Sequence, residues 1–286
     1  MKTIKNILLL TFVLIFTASF YQPVLALTSF EFDEIEKEKQ VPILMYHFLS
    51  TDNKRPNKWK IMVNEFESDL KTLKSEGFEA IFIQDLIDFV YFSKPLPEKP
   101  VIISFDDGAS DFYAYGFPLL KEYDMKAVMA IIGSQTDKYS EDTEENKYPI
   151  PNLTWTQLRE MKDSGLLEVQ SHSYNLHKDI GSVKRKGESL EDYRTRLSKD
   201  LGKLNERVLE ELGHVPTAFI FPFGAKSDES NNILKEIGFL SSLICYETIS
   251  TVKIGEPDTL FDLGRILRPS GASSDTVIKR IRTAES

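Results

Sequence analysis

Short, mostly apolar runs alternate along this chain with longer segments whose apolar residues recur at helical spacing. Runs at 41–47, 101–105, 127–132, 167–171 and 217–221 read as buried strands, with weaker ones near 79–83, 239–245 and 261–267. Between them, helices are predicted over Val63 to Glu76, Ile83 to about Phe92, Asp111 to Tyr123, Thr154 to Gly165, Ser189 to Leu212 and Glu229 to Ile237, with a last one from Ser274. Strands buried on both faces and separated by helices specify a parallel sheet with helices outside. For 286 residues with one core, the expected fold is a distorted, seven-stranded (β/α) barrel. No repeat, low-complexity run or composition shift divides residues 41–286, so they read as one domain.

Chemistry gathers at the C-terminal ends of these runs, where barrels of this kind carry their sites. The central run, Val101-Ile102-Ile103-Ser104-Phe105, stops at Asp106-Asp107-Gly108. Adjacent carboxylates resist burial unless something positive faces them. Taken alone, Asp-Asp-Gly reads as a solvated turn. A second stretch, Val169-Gln170-Ser171-His172-Ser173-Tyr174-Asn175-Leu176-His177, ends in two of the chain's four histidines. Paired acids and paired histidines at strand ends suit a divalent metal. The first run also finishes in a histidine, His47, and the run at 217–221 leads into Pro222-Phe223-Gly224.

The start of the chain has another character. Lys2 and Lys5 precede a mostly apolar stretch from Ile7 to Phe20, and Val24-Leu25-Ala26 offers small residues where a signal peptidase reads. Residues 1–26 are therefore expected to be a cleaved secretory signal peptide, with an uncleaved anchor as the alternative, and residues 27–40 a polar leader. No cysteine lies near the cleavage point, which excludes a lipid-modified N-terminus. Removing residues 1–26 takes away two lysines and no acid, so the formal charge moves from −9 to −11. Such an acidic surface argues against nucleic acid or anionic lipid as a partner and leaves neutral or cationic polymers open. The single cysteine, Cys245, can form no intrachain disulfide and reads as a small buried apolar residue. A monomer is expected, secreted or held at the cell surface, with no stable membrane insertion after cleavage.

At the strand-end motifs the sequence resembles the polysaccharide deacetylases of carbohydrate esterase family four, the NodB-homology family. Ser104-Phe105-Asp106-Asp107-Gly108 is similar to its first motif, His172 through His177 to its second and Phe221-Pro222-Phe223-Gly224 to its third, and the resemblance spans about residues 40–270. It implies a metal-dependent hydrolase that removes N-acetyl groups from a polysaccharide. Asp107, His172 and His177 would hold the ion, most suitably zinc, with cobalt or nickel as alternatives. Asp106 would be the general base. Pro222 and the backbone N–H of Phe223 would serve the oxyanion, and Tyr174, Phe223 or Trp155 would line a sugar groove.

Two departures from the family pattern matter. His172 and His177 are five residues apart rather than four, a spacing shared with deacetylases of biofilm poly-N-acetylglucosamine, as is the opening Pro42-Ile43-Leu44-Met45-Tyr46-His47. The late Leu-x-x-His motif that supplies the usual acid is absent, since no histidine follows His214. His47 is the replacement candidate, against a purely structural role. His214, after Gly213, reads as a helix C-terminal cap. Ile220 stands where the third motif often has arginine, and either Arg265 or Arg268 is a candidate partner for Asp106. A non-catalytic glycan-binding relative is the alternative, which the intact acids and histidines argue against. A barrel glycoside hydrolase would need carboxylates on opposite sides of the bond.

Overall fold

The computed structural model of the chain describes residues 36–52, 57–141, 151–178 and 181–284. The expected signal peptide and most of the expected leader lie outside them. The strands are β1 (Glu38–Val41), β2 (Ile43–Tyr46), β3 (Phe48–Ser50), β4 (Lys60–Met62), β5 (Glu79–Ala80), β6 (Pro100–Phe105), β7 (Ala127–Ile131), β8 (Leu167–Ser171), β9 (Ala218–Ile220), β10 (Ser241–Leu243), β11 (Ser250–Lys253) and β12 (Ile266–Leu267). The helices are α1 (Val63–Ser75), α2 (Ile83–Phe92), α3 (Phe117–Tyr123), α4 (Gly133–Ser140), α5 (Trp155–Asp163), α6 (Leu190–Leu212), α7 (Ser230–Glu236) and α8 (Ser274–Ala284). No described helix is long and apolar enough to cross a membrane.

Seven strands form a parallel sheet in the order β10-β9-β8-β7-β6-β2-β12, and β5 adds to the start of β6. A bridge from Leu243 to Leu263, just ahead of β12, brings the last strand's approach against β10. The sheet is thus curled in the manner expected of a distorted barrel. Its two faces separate cleanly by the period of two. Leu44, Tyr46, Val101, Ile103, Phe105, Leu167 and Val169 pack with α1, α3, α5 and α8. Ile43, Ile102, Val128, Ala130, Ala218, Ile220 and Leu243 face the other way, onto Ile83, Leu86, Ile87 and Val90 of α2. One end of the interior is therefore plugged by a helix, and the other is left for polar residues. Ile102 is fully buried there, and truncation to Ala would cost about 2–5 kcal/mol.

The long helix α6 follows its sequence signals. Tyr193, Leu197, Leu201, Leu204, Val208 and Leu212 form the buried stripe. The Ser189 hydroxyl accepts from the Asp192 N–H at 3.0 Å, and Gly213 closes the helix at φ 75°. Helix α5 opens as expected on Thr154, with Gln157 reaching back to the Thr154 N–H at 3.0 Å. Two expectations change. Glu38 to Gln40, placed in the leader, join Val41 in an antiparallel pair with Ser250–Lys253. Both segments are polar with few apolar residues, and only cross-strand pairing makes them strands. The segment after the run at 127–132, for which no helix was expected, begins with α4, whose short run of mostly polar residues gives no apolar period.

Candidate metal centre and active site

Strand β6 points alternate residues inward, so Ile102 and Ser104 are followed by Asp106 on the same face. Ser104 ties β6 to β2 by donating to the Leu44 carbonyl at 2.9 Å. Asp107 and Gly108 then take positive φ angles, 70° and 72°, which turn the chain sharply at the strand end. A left-handed Asp stores strain that its surroundings must hold. Asn152 does so by donating to the Asp107 carbonyl at 2.9 Å.

On β8 the inward series is Glu168, Gln170 and His172. The His172 Nδ1 lies 2.8 Å from the Ile220 carbonyl. A carbonyl only accepts, so Nδ1 carries the hydrogen and Nε2 keeps its lone pair. That Nε2 lies 3.5 Å from Asp107 Oδ1, and the Nε2 of His177 lies 3.2 Å from the same oxygen. One donor atom from each of the three residues falls within a mutual 4.8 Å. Asp107 Oδ1 is buried with no hydrogen-bond partner among the described residues. Two nitrogens gathered around one orphaned, buried carboxylate oxygen fit a divalent cation. Burial pushes the His177 imidazole down, helped by His172. At His172 burial acts the same way, and Asp107 and Asp106 outweigh it and raise the group.

Beside this triad stands the second acid. Arg265 is fully buried and grips Asp106 with both arms, Nη1 to Oδ1 at 2.7 Å and Nη2 to Oδ2 at 2.9 Å. Its Nε donates to the Ile244 carbonyl at 3.1 Å, which fixes the fork. Burial alone would push the Asp106 carboxyl up; Arg265, His172 and His47 prevail and hold it well below the usual range. His47 approaches from β2, with Nε2 at 3.8 Å from Asp106 Oδ2. Burial lowers this imidazole, and Trp59 packs on it with ring centroids 4.5 Å apart.

The other candidates sit as follows. Arg268 does not reach Asp106. It is buried on Asp69, Nε to Oδ2 at 2.7 Å, where Ser274 and Tyr46 also donate. Phe223 follows Pro222 at the end of β9 at φ 61°, 56% exposed, with its ring 4.5 Å from that of His177. Tyr174 turns away, its hydroxyl donating to Asp137 at 3.0 Å, and the buried Trp155 donates to the same carboxylate at 2.8 Å. His214 places Nε2 3.1 Å from the Val169 carbonyl, so it braces β8 rather than capping α6. Cys245 is half-buried, with Sγ 3.7 Å from the Met45 sulfur.

A cleft of about 320 Å³ opens over Asp107 and His177, lined by Phe48, Gln135, Asn152, Asn175 and Lys178. Of these five, only Asn175 falls within a motif stretch, His172 to His177. Asn175 could have been noticed as a polar residue between two histidines, but Gln135 and Asn152 reach the site only through the fold.

The family model "Polysaccharide deacetylase" matches residues 93–241. A poly-beta-1,6-N-acetyl-D-glucosamine N-deacetylase of Escherichia coli O157:H7 is 30% identical over 191 residues, 58% of this chain. The chain covers only 28% of that relative's length. A protein of the same name from Staphylococcus aureus (strain N315) is 26% identical over 209 residues, covering 72% of this chain and 68% of the relative. Among solved structures, a de-N-acetylase from Aggregatibacter actinomycetemcomitans superposes with a TM-score of 0.71 at 27% identity, over 86% of this chain and all of that one.

Proposed function

The chain belongs to the polysaccharide deacetylase family, and on that premise we propose that it hydrolyses N-acetyl groups of N-acetylglucosamine-type residues in an extracellular or cell-wall polysaccharide, releasing acetate. The observation that carries this reading is the donor set of Asp107, His172 and His177, with its orphaned carboxylate oxygen, next to an Asp106 held ionised by Arg265. A divalent ion in that set, for which zinc is best suited, would supply Lewis acidity toward the acetamide carbonyl and a nucleophilic water.

The chain's own groups supply the rest. Asp106 accepts a proton from the attacking water. Arg265 keeps the carboxylate ionised beforehand and makes it release that proton readily afterwards. His47, at 3.8 Å from Asp106, relays the proton to the leaving amine. Burial lowers this imidazole, so the ring gives the proton up readily to the amine. The backbone N–H of Phe223 donates to the developing oxyanion. Poly-β-1,6-N-acetyl-D-glucosamine, named for the relatives, is the polymer this reading puts first. A net charge of −9 suits a product strand that gains free amines.

Acetate release from defined β-1,6-linked N-acetylglucosamine oligomers tests the reading. Activity should disappear with a chelator and return with zinc. Zinc-loaded protein that releases no acetate from these oligomers, from chitin-type oligomers or from cell wall would sink it.

A further inference from the structure

The chain between the two histidines is His172-Ser173-Tyr174-Asn175-Leu176-His177, and its backbone is tied from two sides. From the turn into α4, Gly133 donates to the Ser173 carbonyl at 3.1 Å and Ser134 to the Tyr174 carbonyl at 2.8 Å. From α6, a single carboxylate takes two successive amides. Asp200 Oδ1 accepts from the Tyr174 N–H at 2.8 Å, and Oδ2 accepts from the Asn175 N–H at 3.0 Å. The packing leaves no slack. A Cβ on Gly133 would fall 2.6 Å from Leu204 Cδ1 and 2.8 Å from the Tyr174 ring. Lys203 sits 3.8 Å over that ring, and the Tyr174 hydroxyl is held by Asp137. Ser173 is kept at φ 78°, a conformation a serine does not hold without such constraint.

We propose that Asp200 is a positioning residue for the metal, a carboxylate clamp that fixes the Tyr174–Asn175 peptides and so aims His177 at the ion. The proposal rests on the metal reading of the site. The two histidines differ in what holds them. His172 continues a strand, its side chain is 2% exposed, and its ring is anchored on the Ile220 carbonyl. His177 has a 24% exposed side chain and stands at the far end of the loop. Phe223 packs on its ring, and the fixed peptide planes of the loop set where that ring starts from. The clamp also gives the five-residue spacing a physical basis: the longer loop brings two consecutive N–H groups to α6, and α6 supplies one side chain with two acceptors for them.

The test compares the full chain with Asp200→Ala and Asp200→Asn. Zinc affinity is read by competition with a chromophoric chelator, coordination by the visible spectrum of the cobalt-loaded protein, and fold by melting of the metal-free protein. Loss of such an outer hydrogen-bonding partner lowers metal affinity by about 10–100-fold. That loss is expected for Asp200→Ala, with an altered cobalt spectrum. A smaller loss is expected for Asp200→Asn, which keeps one acceptor. Wild-type affinity and an unchanged cobalt spectrum in both variants would overturn the clamp, whatever the melting shows. Should Asp200→Ala not fold, the same two readings on Asp200→Asn decide. A wild-type protein that binds neither metal would overturn the metal reading and the clamp together. Metal binding by wild type with unperturbed variants would overturn the clamp alone.

Discussion

Glu168 and His172 lie four residues apart on the same face of β8, at opposite ends of the sheet's interior. At the closed end, each Glu168 oxygen accepts a backbone N–H from the start of α2, Ile83 at 2.9 Å and Gln84 at 3.0 Å. Gln170, midway, accepts from the Thr217 and Ala218 amides, both at 2.9 Å, across the join to β9. At the open end the matching stops. Among the described residues, Asp107 Oδ1 and His47 Nδ1 are buried without a hydrogen-bond partner. Buried polar atoms in folded proteins are almost always paired, and each exception needs a reason. The interior of one sheet thus carries polar residues that close a core and, at its open end, polar atoms that the described residues leave unpaired. What separates them is whether the protein itself supplies the partners.

The largest effect should come from removing a ligand at the open end. His172→Ala is expected to lose most bound metal and nearly all acetate release while keeping its far-ultraviolet circular dichroism. A purified variant that still bound one tight equivalent of zinc would erase the distinction between the two ends. Next comes Asp106→Asn, which should keep the metal and lower turnover by about 10²–10⁴-fold, the usual range for loss of a general acid or base. Metal loss equal to that of Asp107→Asn would show that the two acids do not divide their tasks.

A finer test concerns His47. Its Nδ1 has no hydrogen-bond partner among the described residues, and its Nε2 faces Asp106. His47→Ala should retain fold and metal and lose most amide hydrolysis. Hydrolysis of an acetate ester with a good leaving group, which needs little protonation, should suffer much less. Equal losses on both substrates would remove His47 from the proton route.

Much of this was readable in the chain, for a physical reason. Runs buried on both faces announce themselves without tertiary context, so β6, β7, β8 and their carried residues Asp106, Asp107 and His172 were visible. The two arginines show where reading stops. Arg265 and Arg268 are three residues apart, both buried and both on an aspartate. Nothing local says which one meets Asp106, because Asp69 lies on α1 and looks like a solvated helical acid until α8 packs over it. Burial pushes the Asp69 carboxyl up even with Arg268 bonded to it. Asp106 goes the other way because His172 and His47 add to its arginine. Asp200 was hidden likewise: a polar position in an amphipathic helix gives no sign that a loop 25 residues earlier will donate to it.

The smallest effect sharpens the comparison from the closed end. Burial pushes the Glu168 carboxyl from its ordinary 4.5 up to about 7, against the pull of the Ile83 and Gln84 amides. The folded state therefore holds a proton there that the unfolded chain has released. Between those two values the native state binds more protons, so stability falls as pH rises. This contribution is complete below about pH 4.5 and is lost as pH passes through about 7. Glu168→Gln cannot titrate and lacks that slope. Its melting-temperature deficit relative to wild type should shrink between these limits, by on the order of 2–5 °C, and stay level outside them. Acetate release per folded molecule should not change, since the residue lies at the plugged end. A deficit that is constant across the range would mean that the amides of α2 keep Glu168 ionised. The closed end would then hold a charge of its own, and full pairing would no longer distinguish it from the metal site.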